Sequence, residues 1–388
     1  MEEIIKDIFY TGSQDPHRKL FDQLIPLPLG TTYNSFLIRG SEKTALIDTV
    51  YPDKINELLK KLEDAGINKI DYIISNHGEQ DHSGGIPAVL EKFPEAIIVT
   101  NAKCKELIQL MLHVADDKFN IVDAKSEISL GNKTLKFIPA PWVHWPDTMF
   151  MHIVEDNILF TTDFLGAHYP TIEIWSTDSE EVIEAAKRYY AEIMMPFRQF
   201  AAKYTAQIKD LKPAMIFPSH GPLYKNPDVI LNAYTEWTSP EPKNKVVIPY
   251  VSMYGSVEAM AKHLQAALEE RGIETELFDA VNSDLGDIAM SLIDAKTIVI
   301  GASMVLAGPH PTASYVAALI GALRPSAKYV SLIGSYGWGG ILAEKIFDSL
   351  KNLSATKIDE LVIKGAPQQA DFEELDKLAD KIAQLMRN

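Results

Sequence analysis

The ten residues Asn76-His77-Gly78-Glu79-Gln80-Asp81-His82-Ser83-Gly84-Gly85 constrain this chain more than any other stretch. His77, Glu79, Asp81 and His82 can each ligate a metal, and no lysine or arginine interrupts them. The apolar, β-branched run Ile70-Asp71-Tyr72-Ile73-Ile74-Ser75 comes before, and Gly84-Gly85-Ile86-Pro87 opens a helical pattern behind. The ligands therefore sit where a strand ends. In an extended segment alternate side chains share a face, which predicts that His77, Glu79 and Asp81 converge while Gly78 and Gln80 point away. A polar loop holding two histidines by chance is the competing reading, and the density of imidazole and carboxylate argues against it.

Around this motif, strands and helices alternate. Residues 21–50 read as short strands ending in Thr44-Ala45-Leu46-Ile47-Asp48-Thr49. Residues 52–65 are helical, with Ile55, Leu58, Leu59 and Leu62 at helical spacing and Gly66 as C-cap. A helix near 85–93, a strand at 96–100, a helix over 102–113 and several strands between about 119 and 162 follow. This order predicts an αββα sandwich. Three more ligand candidates close apolar strands: His144 in Pro141-Trp142-Val143-His144-Trp145-Pro146-Asp147-Thr148, Asp163 after Ile158-Leu159-Phe160-Thr161-Thr162, and His220 after Ile216-Phe217-Pro218-Ser219. They are 67, 19 and 57 residues apart from His77 onward, so only the fold can bring them together.

Composition narrows the donor chemistry. One cysteine, Cys104, excludes an internal disulfide, a cysteine-ligated zinc site and an attached four-cysteine iron domain. Any metal is held by imidazole and carboxylate. A net charge of −16 disfavours attraction to nucleic-acid phosphates or anionic lipid. The start, Met1-Glu2-Glu3-Ile4-Ile5-Lys6-Asp7, lacks a signal-peptide pattern and no apolar run spans a bilayer, so a cytoplasmic protein is expected.

His77-x-Glu79-x-Asp81-His82, with His144, Asp163 and His220, resembles the ligand set of the metallo-β-lactamase fold. Hydrolytic members normally carry His where this chain has Glu79. That substitution, together with His-Trp-Pro-Asp-Thr (144–148) and Ile-Met-Met-Pro-Phe (193–197), is similar to the flavodiiron proteins. An oxygen-richer set suits iron better than zinc, and a carboxylate such as Asp163 can bridge two metals. The resemblance implies that His77, Glu79 and His144 hold one iron, Asp81 and His220 the other, and Asp163 both. His82 either ligates the second iron or stands behind it, with a water in its place. His168, in Gly166-Ala167-His168-Tyr169-Pro170, is read equally as pocket lining and as surface loop. Tyr190 belongs to an aromatic and Met stripe in the helical pattern from 179 to about 209. That stripe reads as core or interface, and Tyr190 is carried as a candidate near the metals.

Trp237-Thr238-Ser239-Pro240-Glu241-Pro242-Lys243-Asn244 interrupts both periodicities, which divides the chain into domains at 1–244 and 245–388. Lys245-Val246-Val247-Ile248-Pro249-Tyr250-Val251 reads as a buried strand, with others at 297–301, 329–333 and 360–363 and helices between them. A five-stranded doubly wound parallel sheet is expected. After the first strand comes Ser252-Met253-Tyr254-Gly255-Ser256-Val257, whose hydroxyls and free N–H groups at a helix start make a phosphate cradle. Ser303-Met304-Val305-Leu306-Ala307 and Ser335-Tyr336-Gly337-Trp338-Gly339 follow later strands. This half resembles flavodoxin, which implies FMN with its phosphate at 252–257 and its ring between the later loops, flanked by Trp338. Val257 stands where many flavodoxins place Thr, and Met304-Val305-Leu306 replaces the more usual Pro-Thr region.

The resemblance implies an oxidoreductase that reduces O2 to water, or NO to N2O, at a non-haem di-iron site fed through FMN. Rubredoxin or reduced coenzyme F420 would donate the electrons, and a head-to-tail homodimer or a dimer of dimers would be the working form. A di-zinc hydrolase is the chief alternative. A flavodoxin-type carrier with a structural first half is the weaker one, since it leaves seven ligand-type residues without a role.

Overall fold

A computed structural model describes residues 1–170 and 173–387. The chain divides into two compact units: residues 1–190 with 197–238, and residues 191–196 with 239 onward.

In the first unit, among the described residues, one sheet orders seven strands as Glu2–Ile5, Ile8–Tyr10, Phe36–Arg39, Thr44–Ile47, Tyr72–Ile74, Ile97–Thr100 and Phe119–Ile121. A second orders five as Glu127–Ser129, Thr134–Pro139, Met149–Ile153, Ile158–Thr162 and Met215–Pro218. Strand periodicity decides what lies between them. Phe36, Ile38, Ala45, Ile47, Ile74 and Val99 face inward and meet Leu135, Phe137, Met149, Met151 and Phe160 from the other sheet. Their neighbours Leu37, Leu46, Ile73 and Ile98 face outward, under Leu58 and Leu62 of the helix Ile55–Asp64, Val89 of Ile86–Lys92 and Ile108 of Ala102–Leu112. Phe150 likewise points out of the second sheet, edge-on to Tyr204 of the helix Arg198–Leu211. Each such side chain contributes about 1.5–3 kcal/mol on burial, and together they fix both sheets face to face.

The second unit is an all-parallel five-stranded sheet in the order Glu274–Asp279, Lys243–Val251, Ala295–Val305, Tyr329–Tyr336, Thr356–Lys364, with the short Gly308–Pro309 pairing antiparallel to the third. The helices Ser256–Glu270 and Gln369–Met386 cover one face through Met260, Leu264, Leu268, Leu375, Leu378 and Ile382. The strand order reverses beside Lys243–Val251, so the loops at its carboxyl end flank a crevice. This strand begins two residues before the pattern alone suggests, because Lys243 N–H bonds the Asp294 carbonyl at 2.8 Å.

Two elements differ from the sequence reading. The long helix over 179–209 is broken into the helix Glu180–Tyr189, a π turn Tyr190–Met194, a 3-10 turn Met195–Phe197 and the helix Arg198–Leu211. Pro196 lacks the N–H that a continuous helix needs there. The metal motif is also not extended throughout, since Gln80–Ser83 form a helical turn.

Candidate metal centre and flavin cleft

Four loops at the strand ends of the first unit bring the seven ligand candidates into two adjoining groups. His77 Nε2 lies 3.1 Å from Glu79 Oε2, and His144 Nε2 lies 3.3 Å from the same oxygen. On the other side, His82 Nε2 is 3.2 Å from Asp81 Oδ1 and His220 Nε2 is 3.1 Å from Asp81 Oδ2. Asp163 stands between the groups. Its Oδ2 is 3.6 Å from His77 and from His144, while its Oδ1 is 3.1 Å from His82 and from His220.

The helical turn at Gln80–Ser83 explains this division. Alternation along an extended chain puts His77 and Glu79 in one group, and the turn then swings Asp81 and His82 into the other. The expected convergence of His77, Glu79 and Asp81 on one face is corrected accordingly. His82 stands within the second group and not behind it.

Many of these atoms have no hydrogen-bonding role in the protein. Both Asp81 oxygens, Asp163 Oδ2 and His220 Nε2 are buried without a hydrogen-bond partner. Groups that approach to about 3 Å without aligning as donor and acceptor are converging on shared points, as ligands of a cation do. An imidazole and carboxylate set of this kind fits iron.

The backs of the rings are held. Asp147 Oδ2 takes a hydrogen bond from His77 Nδ1 at 3.0 Å and from the Gly78 N–H at 2.7 Å. His220 Nδ1 donates to the Thr32 carbonyl at 2.5 Å. Each contact fixes the tautomer and leaves Nε2 free to ligate. The space at Gly78 is tight, because a Cβ would sit 3.1 Å from Leu107 and 3.2 Å from Asp147 Oδ2 and would press on both. Asp48 anchors the start of the motif by accepting from the Asn76 backbone and side chain at 2.9 and 3.1 Å; burial lifts its carboxyl to about 6.

Electrostatics within the cluster are strong. Burial works against charged rings, yet the facing carboxylates Asp163 and Glu79 hold His144 up at about 9, and Asp163 and Asp81 hold His220 at about 10. His77 is likewise held well above its ordinary value, against burial, by Asp147, Glu79 and Asp163. Burial would raise Asp163, but His82, His144 and His220 outweigh it and keep the carboxylate ionised. His168 behaves oppositely. Burial, then the nearby His220, pushes it well below its usual range.

His168 is buried, not on a surface loop. Its ring packs 5.1 Å from His220 and 4.8 Å from Tyr189, and Nδ1 meets Thr31 Oγ1 at 2.8 Å. Tyr190 does not face the metals. Its hydroxyl donates to the Trp237 carbonyl at 3.0 Å and its ring packs against Tyr234 and Trp237. The residue that reaches the cluster is Tyr189, whose hydroxyl donates to Asp163 Oδ1 at 2.9 Å. Sequence reasoning missed Tyr189 because helical periodicity does not separate adjacent positions of a Tyr-Tyr pair. Asp147 carried a signal, standing three residues after His144 in the same loop. A mouth of about 480 Å³ opens over the cluster, lined among others by Arg18, Asp22, Tyr51, Glu79, Asp81 and Trp145.

The second unit holds a cleft of about 540 Å³ at the carboxyl edge of its sheet. Ser252, Met253, Tyr254 and Ser256 line it, with Ser303, Met304, Val305, Leu306 and Ala307 on one side and Ser335, Tyr336, Gly337 and Trp338 on another. Gly365 and Ala366, after the last strand, complete it and were not foreseen. The Ser252 hydroxyl is buried without a partner at this edge. Gly255 (φ 85°) takes the left-handed conformation that starts the helix Ser256–Glu270 with its first N–H groups free. An orphan hydroxyl beside a helix N-terminus fits a phosphate. Val257 lies in the core, so it offers the cradle a backbone N–H and no side chain. Gly339 is outside the lining. Tyr254, Leu306 and Trp338 stand 91%, 86% and 68% exposed around the cleft.

Residues 31–221 match the model of the ODP family beta lactamases, and residues 248–376 match flavodoxin. The chain is 34% identical to the nitric oxide reductase of Moorella thermoacetica, over 98% of this chain and 97% of that one. It is 31% identical to the coenzyme F420H(2) oxidase of Methanothermobacter marburgensis, over 91% and 92% respectively. The rubredoxin oxygen:oxidoreductase of Desulfovibrio gigas superposes with a TM-score of 0.94 at 28% identity, covering 100% of this chain and 98% of that one. The chain belongs to the flavodiiron protein family. As a flavodiiron protein it is an oxidoreductase, and the hydrolase alternative is set aside. The donor set and the cleft fit the two cofactors of such proteins, a non-haem iron pair and FMN. Among the described residues no helix is long and apolar enough to cross a membrane.

Proposed function

We propose that this flavodiiron protein reduces O2 to water, or NO to N2O, in the cytoplasm, with electrons from a small donor such as rubredoxin or reduced coenzyme F420. Residues 1–244 would work as the iron domain and residues 245–388 as the FMN domain. The observation that carries the reading is Asp163, with one oxygen toward each half of an all-imidazole and carboxylate cluster. The iron pair and FMN supply the electrons, and the flavin matters because dioxygen needs more electrons than two ferrous ions give up.

The roles of the chain's own groups follow from their contacts. Asp147 and the Thr32 carbonyl aim the Nε2 atoms of His77 and His220, so His77, Glu79 and His144 would hold one iron and Asp81, His82 and His220 the other. Asp163 would bridge, and its charge offsets that of both cations. Tyr189 keeps that carboxylate in one orientation. In the second unit the Ser252 hydroxyl and the first N–H groups of Ser256–Glu270 would take the FMN phosphate, with Trp338 beside the ring.

The exposed Tyr254, Leu306 and Trp338 support a partner surface at the flavin cleft. We assign it to a second copy in a head-to-tail homodimer, with the FMN of one chain serving the iron of the other. Mixing a chain lacking iron ligands (His77→Ala with Asp163→Ala) with one lacking the phosphate loop (Gly255→Trp) tests this. Random reassortment restores about a quarter of wild-type activity if electrons cross between chains, and none if they stay within one. Steady-state rates with O2 and with NO, using each donor in turn, identify the working pair.

A further inference from the structure

The reaction proposed above consumes protons as well as electrons: four of each for every O2 reduced to two waters, and two of each for every pair of NO molecules joined as N2O and one water. A buried cluster walled by aromatic rings needs a route for them. Resting on that functional reading, we propose that Asp22 is the proton-entry residue of the iron site, taking protons from solvent at the mouth and handing them inward to the substrate through water.

Asp22 and Gln23, at the tip of the hairpin Leu20–Phe21 with Ile25–Pro26, both take left-handed conformations (φ 50° and 54°), which residues other than glycine seldom adopt. The Leu24 N–H closes the turn on the Phe21 carbonyl at 3.0 Å. The turn sets Asp22 in the lining of the mouth, which it shares with Glu79 and Asp81 of the cluster. Among the lining side chains Asp22 is the only carboxylate outside the ligand set.

Its neighbours leave it free to carry a proton. Phe21 of the same hairpin is buried, its ring 5.8 Å from His220 and 4.9 Å from His168. Arg18, the one cation in the lining, sits over the Tyr51 ring, 4.3 Å from its centre. Among the described residues Asp22 itself has no ion pair or hydrogen bond. The charged groups that face it are Glu79 and Asp81 from the motif, His144 from its loop and Asp163 from the end of its strand. Burial first, then the carboxylates among them, lifts Asp22 to about 6 in the metal-free cluster. Bound cations pull it back toward the ordinary carboxylate range, so the assignment stands on position and freedom. A carboxylic acid there gives its proton inward and regains one from bulk water, with no net change in Asp22.

Asp22→Asn and Asp22→Glu, made in the iron- and FMN-loaded protein, test the assignment. The reduced protein is mixed once with O2, and reoxidation is followed against pH in H2O and D2O. The Asn variant is expected to slow by about tenfold or more, with a larger solvent isotope effect and recovery on adding formate. The Glu variant stays near wild type, and iron, FMN and unfolding midpoint are unchanged in both. Independently of turnover, the pH-difference infrared spectrum of the loaded wild type should contain the paired bands of a solvent-reachable carboxylate becoming a carboxylic acid that the Asn variant lacks. An Asn variant with wild-type rate, pH profile and isotope effect overturns the assignment. If wild type itself reacts with neither O2 nor NO, the functional reading falls, and the infrared bands alone decide Asp22.

Discussion

Tyr189 donates its hydroxyl proton to Oδ1 of Asp163 at 2.9 Å, so a neutral phenol holds the carboxylate that stands between the two halves of the metal cluster. The next residue, Tyr190, turns away to the Trp237 carbonyl. The pair makes a matched test. A hydrogen bond to a charged group contributes about 1.5–3 kcal/mol. Tyr189→Phe should therefore keep its fold but lose turnover about tenfold or more, with iron bound more weakly. Tyr190→Phe should lower stability by about 1 kcal/mol and leave turnover near wild type. Steady-state rates and denaturant midpoints separate the two.

Asp147 supports His77 and the Gly78 backbone together. Asp147→Ala releases the ring and leaves the Gly78 N–H unpaired. Ferrous iron affinity should fall by about 10–100-fold, as competition with a chelator would measure. Unchanged affinity would mean that His77 is held by packing alone.

Iron uptake should release protons. In the metal-free protein the facing carboxylates hold His144 at about 9 and His220 at about 10, so both rings are charged at neutral pH and iron must displace their protons. A raised pKa means competition that grows as pH falls, so affinity should climb from neutral pH toward about 9–10. Anaerobic calorimetry of ferrous binding in two buffers of different ionisation enthalpy counts the protons. Affinity that is flat or falls with rising pH would contradict this.

Ser252 has a buried hydroxyl with no partner. Removing it costs the FMN-free protein nothing, since an unsatisfied group is lost. Ser252→Ala should thus keep or slightly raise the FMN-free unfolding midpoint while weakening FMN about tenfold or more, read by fluorescence titration. An equal loss of stability in the free protein would assign Ser252 a purely structural role.

How much of this was legible in the sequence depended on range. Strand and helix periodicity gave both sheets, because alternation such as Phe36, Leu37, Ile38 records which side faces which layer. The ligand types at strand ends were equally plain, since chemistry restricts them to histidine and carboxylate. What stayed hidden was local geometry. The turn at Gln80–Ser83 that parts Asp81 from Glu79 is too short to carry a period. The break after Tyr189 decides that Tyr189 and not Tyr190 meets Asp163, and only the packed helix shows it. Asp22 lay in a loop without a pattern, and its place at the mouth comes from a turn made of two left-handed residues.

The central claim, an iron pair fed through FMN, is tested most directly on the purified protein by counting metal and flavin and then reacting the reduced form with gas. The account predicts about two irons and about one FMN per chain, with both irons and the flavin reoxidised by O2 or NO and water or N2O as product. Stoichiometric zinc without flavin, in a protein that hydrolyses esters or lactams and leaves both gases untouched, would contradict it.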